Sequence, residues 1–396
     1  MATSKEMTAG PALPLILKFT LPLLLGNLLQ QTYSLVDAAI VGKFLGINAL
    51  ASVGASTSVV FLILGFCNGC CGGFGIPVAQ KFGARDYSTM RSYVAVSLKL
   101  AAGMSVVIAL LTCILCEDIL RIMRTPENIF EGAYAYLLVT FIGVPCTFFY
   151  NLLSSIIRAL GDSKTPFWFL LFAAVLNIIL DYLFIFPFGW GMFGAAIASA
   201  IGTTVGALMI IIYLSRHKCA LRFYPVKLTR KSMQLTRRNI GYMCRLGSSA
   251  FLCEVAIACM MFVGNIVFIH YLQEEGVAAF SIACYFFPII FMVYNAIAQS
   301  AQPIISYNHG LHETARVRRA YLLALKTAVG CGAIFAFITA LFSSEIVSMF
   351  IDRSYPAYEI ASKGLPLYAT GFIFFAINIV SIGYFQSVER ARYATI

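Results

Sequence analysis

Phe167-Trp-Phe-Leu-Leu-Phe-Ala-Ala-Val-Leu-Asn-Ile-Ile-Leu-Asp-Tyr-Leu-Phe-Ile185 decides the fold class. Among these nineteen residues only Asn177 and Asp181 carry an amide or a charge. As a helix rising 1.5 Å per residue the stretch is about 28 Å long, close to the ~30 Å hydrocarbon core of a bilayer. The rest of the chain has the same character. Hydrophobic residues make up 60% of the 396 and charged residues 11%, with a mean hydropathy of +0.85. Soluble domains are nearer half apolar and a quarter charged. Ten apolar runs of spanning length stand near 11–40, 47–80, 93–116, 131–157, 166–188, 191–214, 240–272, 276–305, 320–343 and 356–387. The class is therefore an all-α polytopic membrane protein. Pro22, inside the first run, is expected to bend it by removing a backbone donor.

The loops orient the stack. Those after even-numbered runs are basic: Lys81, Arg85 and Arg91 against Asp86; Arg158 and Lys164 against Asp162; Arg316, Arg318 and Arg319 against Glu313. Between the sixth and seventh runs, 215–245 carry nine Lys or Arg and no acid. Odd loops are neutral or acidic, as at Glu117, Asp118, Glu274 and Glu275, Lys43 aside. The positive-inside rule puts the basic loops and the N-terminus in the cytoplasm, in a multi-pass cell-membrane protein. The net charge of +11 is spread over these loops rather than gathered in one patch, so it is not a nucleic-acid footprint.

An internal repeat appears at an offset of 227 residues. Ala49-Leu-Ala-Ser-Val-Gly-Ala-Ser falls on Gly276-Val-Ala-Ala-Phe-Ser-Ile-Ala, Gly83 on Gly310, Asp86 on Glu313, Arg91 on Arg318 and Asn151 on Asn378. An even helix number per repeat preserves direction, so the pattern predicts two lobes of six-helix repeats with a parallel pseudo-twofold. The expected division is an N-lobe over 1–214, a basic cytoplasmic linker over 215–239 and a partial C-lobe over 240–396. Ile396 corresponds to a point inside the fifth run, so the chain is expected to be truncated before helices 11 and 12.

Polar groups in hydrocarbon are costly and mark function. Asn27, Gln30, Gln31, Ser34 and Asp37 recur at helical spacing on one face of the first run. Asn177 and Asp181 lie one turn apart in the fifth, and Thr203 and Thr204 sit in the sixth. Counted from the basic side, Asp181 is about 24 Å deep, comparable with Asp37. A carboxyl group in such surroundings can hold a proton and release it when water reaches it. With amide and hydroxyl oxygens it can also ligate a hard cation such as sodium. Glu254 stands midway in the seventh run, opposite Asn27 in the repeat. It is a candidate for substrate-cation binding or a second cation site, with Asn27, Gln30 and Gln31 beside it as candidate substrate groups.

Cys67, Cys70 and Cys71 lack the histidines or further cysteines of a closed metal site and are expected to pack helices. The glycine-rich run 65–75 lacks the Lys-Ser or Lys-Thr of a phosphate loop. No nucleophile motif, metal set or cofactor loop supports an enzyme, and no cofactor is expected beyond a proton or sodium as coupling ion.

Leu21-Pro-Leu-Leu-Leu-Gly-Asn, Val36-Asp-Ala-Ala-Ile-Val-Gly-Lys-Phe-Leu-Gly, Phe82-Gly-Ala-Arg-Asp, Arg158-Ala-Leu-Gly-Asp-Ser-Lys-Thr-Pro and Leu176-Asn-Ile-Ile-Leu-Asp carry a resemblance over the whole chain. It resembles the multidrug and toxic compound extrusion (MATE) family in its bacterial branch. The resemblance implies a twelve-helix, two-lobe antiporter exporting lipophilic, often cationic compounds for protons or sodium. It implies a cation site at Asp37, Asn177 and Asp181, with Thr203 a looser match, and a bending role for Pro22. A helix 7 acid used by some members matches Glu254, while the tenth run offers Asn378 and no aspartate. The abundant aromatics and 13 methionines suit an adaptable cavity for flat cations. The protein is expected to act as a monomer in the bilayer on small molecules. The alternatives are a lipid-linked saccharide flippase, for which a basic cavity is expected, and a non-transporting fragment.

Overall fold

The computed structural model describes residues 12–123, 125–216 and 230–395. Every regular element among them is a helix, as the runs of apolar residues require when lipid cannot satisfy the backbone. In chain order they are α1 (Ala12–Leu45), α2 (Ile47–Gly83), α3 (Tyr87–Ile114), α4 (Cys116–Ile122), α5 (Glu127–Ala159), α6 (Lys164–Ile185), α7 (Gly191–Arg216), α8 (Arg230–Gly310), α9 (Thr314–Leu341), α10 (Ser343–Ser348), α11 (Pro356–Ser387) and α12 (Ala391–Thr395). Helix α8 has two arms that meet at Gln273, whose backbone leaves the helical region at φ 55°.

Nine helices among the described residues are long and apolar enough to cross a membrane. The seventh predicted run is helical too, but its apolar stretch narrows to Val255–Phe268, because Arg245 and Glu254 interrupt the run on its N-terminal side. Large side chains such as Ile114, Leu367 and Phe374 lie open on helix surfaces. Such a belt is a liability in water and the natural outer face of a helix in lipid. The chain is a multi-pass membrane protein.

Two compact units divide the chain. Unit 1 is Leu25–Ser248; unit 2 begins at Ser249 and also takes the described residues of α1 that precede Leu25. Two long helices thus change unit midway: α1 just after Pro22, and α8 just after Gly247.

In unit 1, α5 is the hub and packs against α2, α3 and α7, while α6 packs against α7. Its core joins Cys67, Cys70, Cys71 and Phe74 of α2 to Phe148, Leu152 and Ile156 of α5 and Ile210 of α7. The three thiols are packing groups in this core; Cys71 Sγ lies 3.6 Å from the Phe148 carbonyl oxygen. The start of α8 is pressed onto α2 without side chains between them. A Cβ on Gly73 would fall 2.5 Å from Gly247 N, so glycine there permits backbone-to-backbone approach. In unit 2, α9 and the short α10 pack against α11. Val347 of α10 is buried with Ala279, Ile282, Ala361 and Leu365. Thr20 of α1 and Ser300 of α8, both buried, join hydroxyls at 2.7 Å.

The repeat is visible in the element bounds. Helix α3 runs from 87 to 114 and α9 from 314 to 341, and 314 less 87 and 341 less 114 are both 227. The short α4 and α10, which hydropathy alone had not separated from their neighbours, begin at 116 and 343, again 227 apart. Helix ends repeat as well. Arg85 and His312 both turn left-handed, at φ 58° and 61°. The two bonds that close the turn recur around each: Asp86 N to Lys81 O and Arg85 N to Phe82 O, then Glu313 N to Asn308 O and His312 N to His309 O. This is the Schellman termination. Gly161 and Glu389 end α5 and α11 in the same way.

Candidate functional site

The predicted polar set converges within unit 1. Asn177 and Asp181 are one turn apart on α6 and buried, Asp181 fully so (3% and 0% exposed), and Asp37 of α1 is 7% exposed. Their position follows from how α6 meets α7. At Gly202 a Cβ would lie 3.1 Å from Ala173 O and 3.3 Å from Asn177 Cβ. At Gly206 it would lie 3.1 Å from the Tyr150 ring. Gly202 therefore lets α7 close onto α6 and Gly206 lets it close onto Tyr150 of α5, and Ser199 of α7 arrives beside Asn177. A lid over the far end of this group is formed by Val41, Ile185 and Ala195, with Ile40, Leu45, Ala49, Val53 and Met192 packed around them.

Within that enclosure the carboxyl groups of Asp37 and Asp181 stand next to each other, each within the other's electrostatic reach. The Asn177 amide, turned so that every donor meets an acceptor, gives its N–H to Asp181 Oδ2 at 3.3 Å. Its oxygen then accepts from the Ser199 N–H and hydroxyl, both at 3.1 Å. One oxygen of each acid, Asp37 Oδ1 and Asp181 Oδ1, is buried with no hydrogen-bond partner. Tyr33 of α1 and Tyr136 of α5 stand within electrostatic reach of the acids.

Two carboxylates facing each other in a low-dielectric site repel too strongly to remain charged together. Buried oxygens without partners are rare and invite a proton, a water or a cation. The site can thus hold positive charge where lipid surrounds the protein.

The other predicted residues are placed as follows. Thr203 is half-buried on α7, but its hydroxyl donates to Ser199 O at 2.9 Å in its own helix. Ser199, one turn earlier, is the hydroxyl that reaches Asn177, and the sequence reading missed it. Asn27 is half-buried on α1; Gln30 and Gln31 are exposed. The Gln30 backbone oxygen accepts the Ser34 hydroxyl at 3.0 Å. Pro22 lies within α1, which continues through it as one helix. Glu254 is on α8, and its side chain falls outside the described residues. Asn378 is exposed on α11. Among the described residues no group of three His, Cys, Asp or Glu is arranged to hold a metal ion.

Comparison with known proteins gives the family and the fold. The MatE family model matches residues 22–183 and 250–396, both units of the chain. The chain belongs to the MatE family. Membership places it among efflux transporters rather than enzymes. It is 28% identical over 344 residues to the probable multidrug resistance protein YoeA of Bacillus subtilis, covering 86% of this chain and 74% of that one. It is 23% identical to the multidrug export protein MepA of Staphylococcus saprophyticus over 96% of this chain and 83% of that one. A MATE crystallised in the bent conformation matches the whole chain with a TM-score of 0.89 at 22% identity, covering 86% of that structure. An outward-facing MATE matches it with a TM-score of 0.86 over the same share.

Proposed function

We propose that the protein is a secondary active antiporter that exports lipophilic, cationic compounds in exchange for protons, with Asp37, Asn177 and Asp181 as the coupling site. Export of drugs is suggested by the relatives, which are named for multidrug resistance and export. The observation that carries the choice of ion is the burial of Asp37 and Asp181 next to each other, each with an oxygen that has no hydrogen-bond partner. Two acids buried together favour holding one proton between them over carrying two charges. The Asn177 amide supports the same reading, because it turns its N–H toward Asp181 and spends its oxygen on Ser199; sodium would want that oxygen for itself. Loss of the proton would leave two adjoining carboxylates, a state that demands water, a cation or rearrangement. This is the differential free energy by which proton binding selects one transport state over another. The basic loops and the N-terminus face the cytoplasm in this reading, so that protons enter from outside.

The test is efflux of a cationic dye from proteoliposomes with pH and sodium gradients imposed separately. Transport should follow the pH gradient and be indifferent to sodium, and Asp37→Asn and Asp181→Asn should each lower it by about a hundredfold or more, the scale of removing an essential ionisable group. Transport driven by sodium alone would replace the proton with sodium at the same residues. Undiminished efflux in both variants would remove the site from the mechanism.

A further inference from the structure

Helix α9 buries one side and opens the other. Val317, Ala320, Ala324 and Ala328 face the interior of unit 2. On the open side, Ala315, Arg318, Arg319, Leu322, Leu323 and Lys326 line a surface cavity of about 300 Å³. Arg318, Arg319 and Lys326 are all exposed, and none makes an ion pair among the described residues. Glu313, the closest acid in sequence, precedes the helix and does not line the cavity. Beyond Lys326 the same side of the helix becomes wholly apolar, with Ile334, Phe337, Ile338 and Leu341 exposed. Leu322 to Phe337 is about 22 Å along the axis, more than one leaflet of a ~30 Å core.

The repeat tells what covers this side. Helix α3 of unit 1 is the equivalent of α9, and its exposed residues Val107, Leu110, Leu111 and Ile114 are those 227 positions before Ile334, Phe337, Ile338 and Leu341. Unit 1 has its fifth and sixth spanning helices, α6 and α7, in place, and this side of α3 is still open. The face is therefore a lipid face in both units. Its basic end differs between them. Arg91 and Lys99 stand where Arg318 and Lys326 do, but Ser92 replaces Arg319 and both cations are half-buried. Only unit 2 gathers three exposed cations at the mouth of an apolar track.

We propose that the outer face of α9 is a binding site for one anionic phospholipid of the leaflet on the basic-loop side, its phosphodiester headgroup held by Arg318, Arg319 and Lys326 and an acyl chain lying along Leu322 toward Phe337. Arginine forks suit phosphate oxygens, and the lysine, about two helix turns further along, adds a point charge that its long side chain can carry back toward the headgroup. The site is separate from the acids of unit 1 and does not depend on the ion they carry.

The full chain, purified in a neutral detergent, is titrated with phosphatidylglycerol and with phosphatidylcholine, and bound lipid is counted by native mass spectrometry. One phosphatidylglycerol should be retained preferentially. Arg318→Gln/Arg319→Gln/Lys326→Gln should weaken its retention by about a hundredfold, each cation near a headgroup being worth about fivefold. Lys81→Gln/Arg85→Gln/Lys164→Gln, an equal charge loss at the same membrane face of unit 1, should leave it unchanged. Equal retention of phosphatidylcholine, or equal loss in both triple variants, would overturn the proposal in favour of diffuse charge attraction.

Discussion

Unit 1 and unit 2 place equivalent backbone and inequivalent chemistry. Where unit 1 has Asp37, unit 2 has Gly264, 227 residues later. Where unit 2 joins α1 to α8 through the Thr20 and Ser300 hydroxyls, unit 1 joins α8 to α2 through Gly247 and Gly73; 247 less 20 and 300 less 73 are again 227. The same crossing is made once by a hydrogen bond and once by bare backbone. Helix starts diverge likewise. Asp86 caps α3 by accepting the Thr89 N–H at 3.1 Å, whereas Glu313 makes no side-chain cap on α9, its longer side chain being poorly suited to that short reach. A repeat fixes where helices run; the side chains at its crossings are free to change.

The largest break in this comparison comes from Gly73→Ala. Its new Cβ would meet Gly247 backbone at 2.5 and 2.6 Å, so one unit's crossing must shift, at a cost of about 3 kcal/mol. The control is Gly72→Ala, whose Cβ meets nothing within 4 Å; it should be neutral or slightly stabilising, since alanine is the better helix former. Thermal unfolding in detergent reads both. Equal melting temperatures would mean the α2–α8 approach is loose.

A smaller effect is expected at the other crossing. Thr20→Val and Ser300→Ala should each cost about 0.6 kcal/mol, the usual worth of a hydrogen bond between membrane helices, and the double variant should cost less than their sum. Full additivity would separate the two hydroxyls.

The smallest lies at the caps. Asp86→Ala should cost about 0.5 kcal/mol, the low end for a helix cap, and Glu313→Ala next to nothing. The Thr89 hydrogen bonds hold the Asp86 carboxyl below its usual range. Its contribution is therefore complete above the ordinary aspartate pKa of about 4 and fades as pH falls through the lower folded value. Asp86→Ala should accordingly be less destabilising at pH 3 than at pH 7.

Much of this was legible in the sequence because lipid imposes few solutions. Length and hydropathy fixed the spanning runs, and the 227-residue offset located helix ends at Asp86 and Glu313. The single-turn α4 and α10 escaped notice since six or seven residues carry too little periodicity to stand apart from the spans beside them. At the site, Asp37, Asn177 and Asp181 announced themselves as polar groups in hydrocarbon. Ser199 did not, because a hydroxyl in a spanning helix commonly bonds its own backbone, as Thr203 does. Tyr33 and Tyr136 were lost among 20 tyrosines. Which acid would meet which depended on α1 and α6 coming together, and no local pattern encodes that.

The division of α1 between units also sets a timetable for synthesis. Thr20 leaves the ribosome early, yet Ser300, its hydroxyl partner, is 280 residues behind it. At about 5–20 residues per second that is a delay of roughly 14–56 seconds. Throughout it the leading half of α1 has been made and its hydroxyl partner has not. The stretch before Leu25 is therefore where a membrane chaperone would have most to guard.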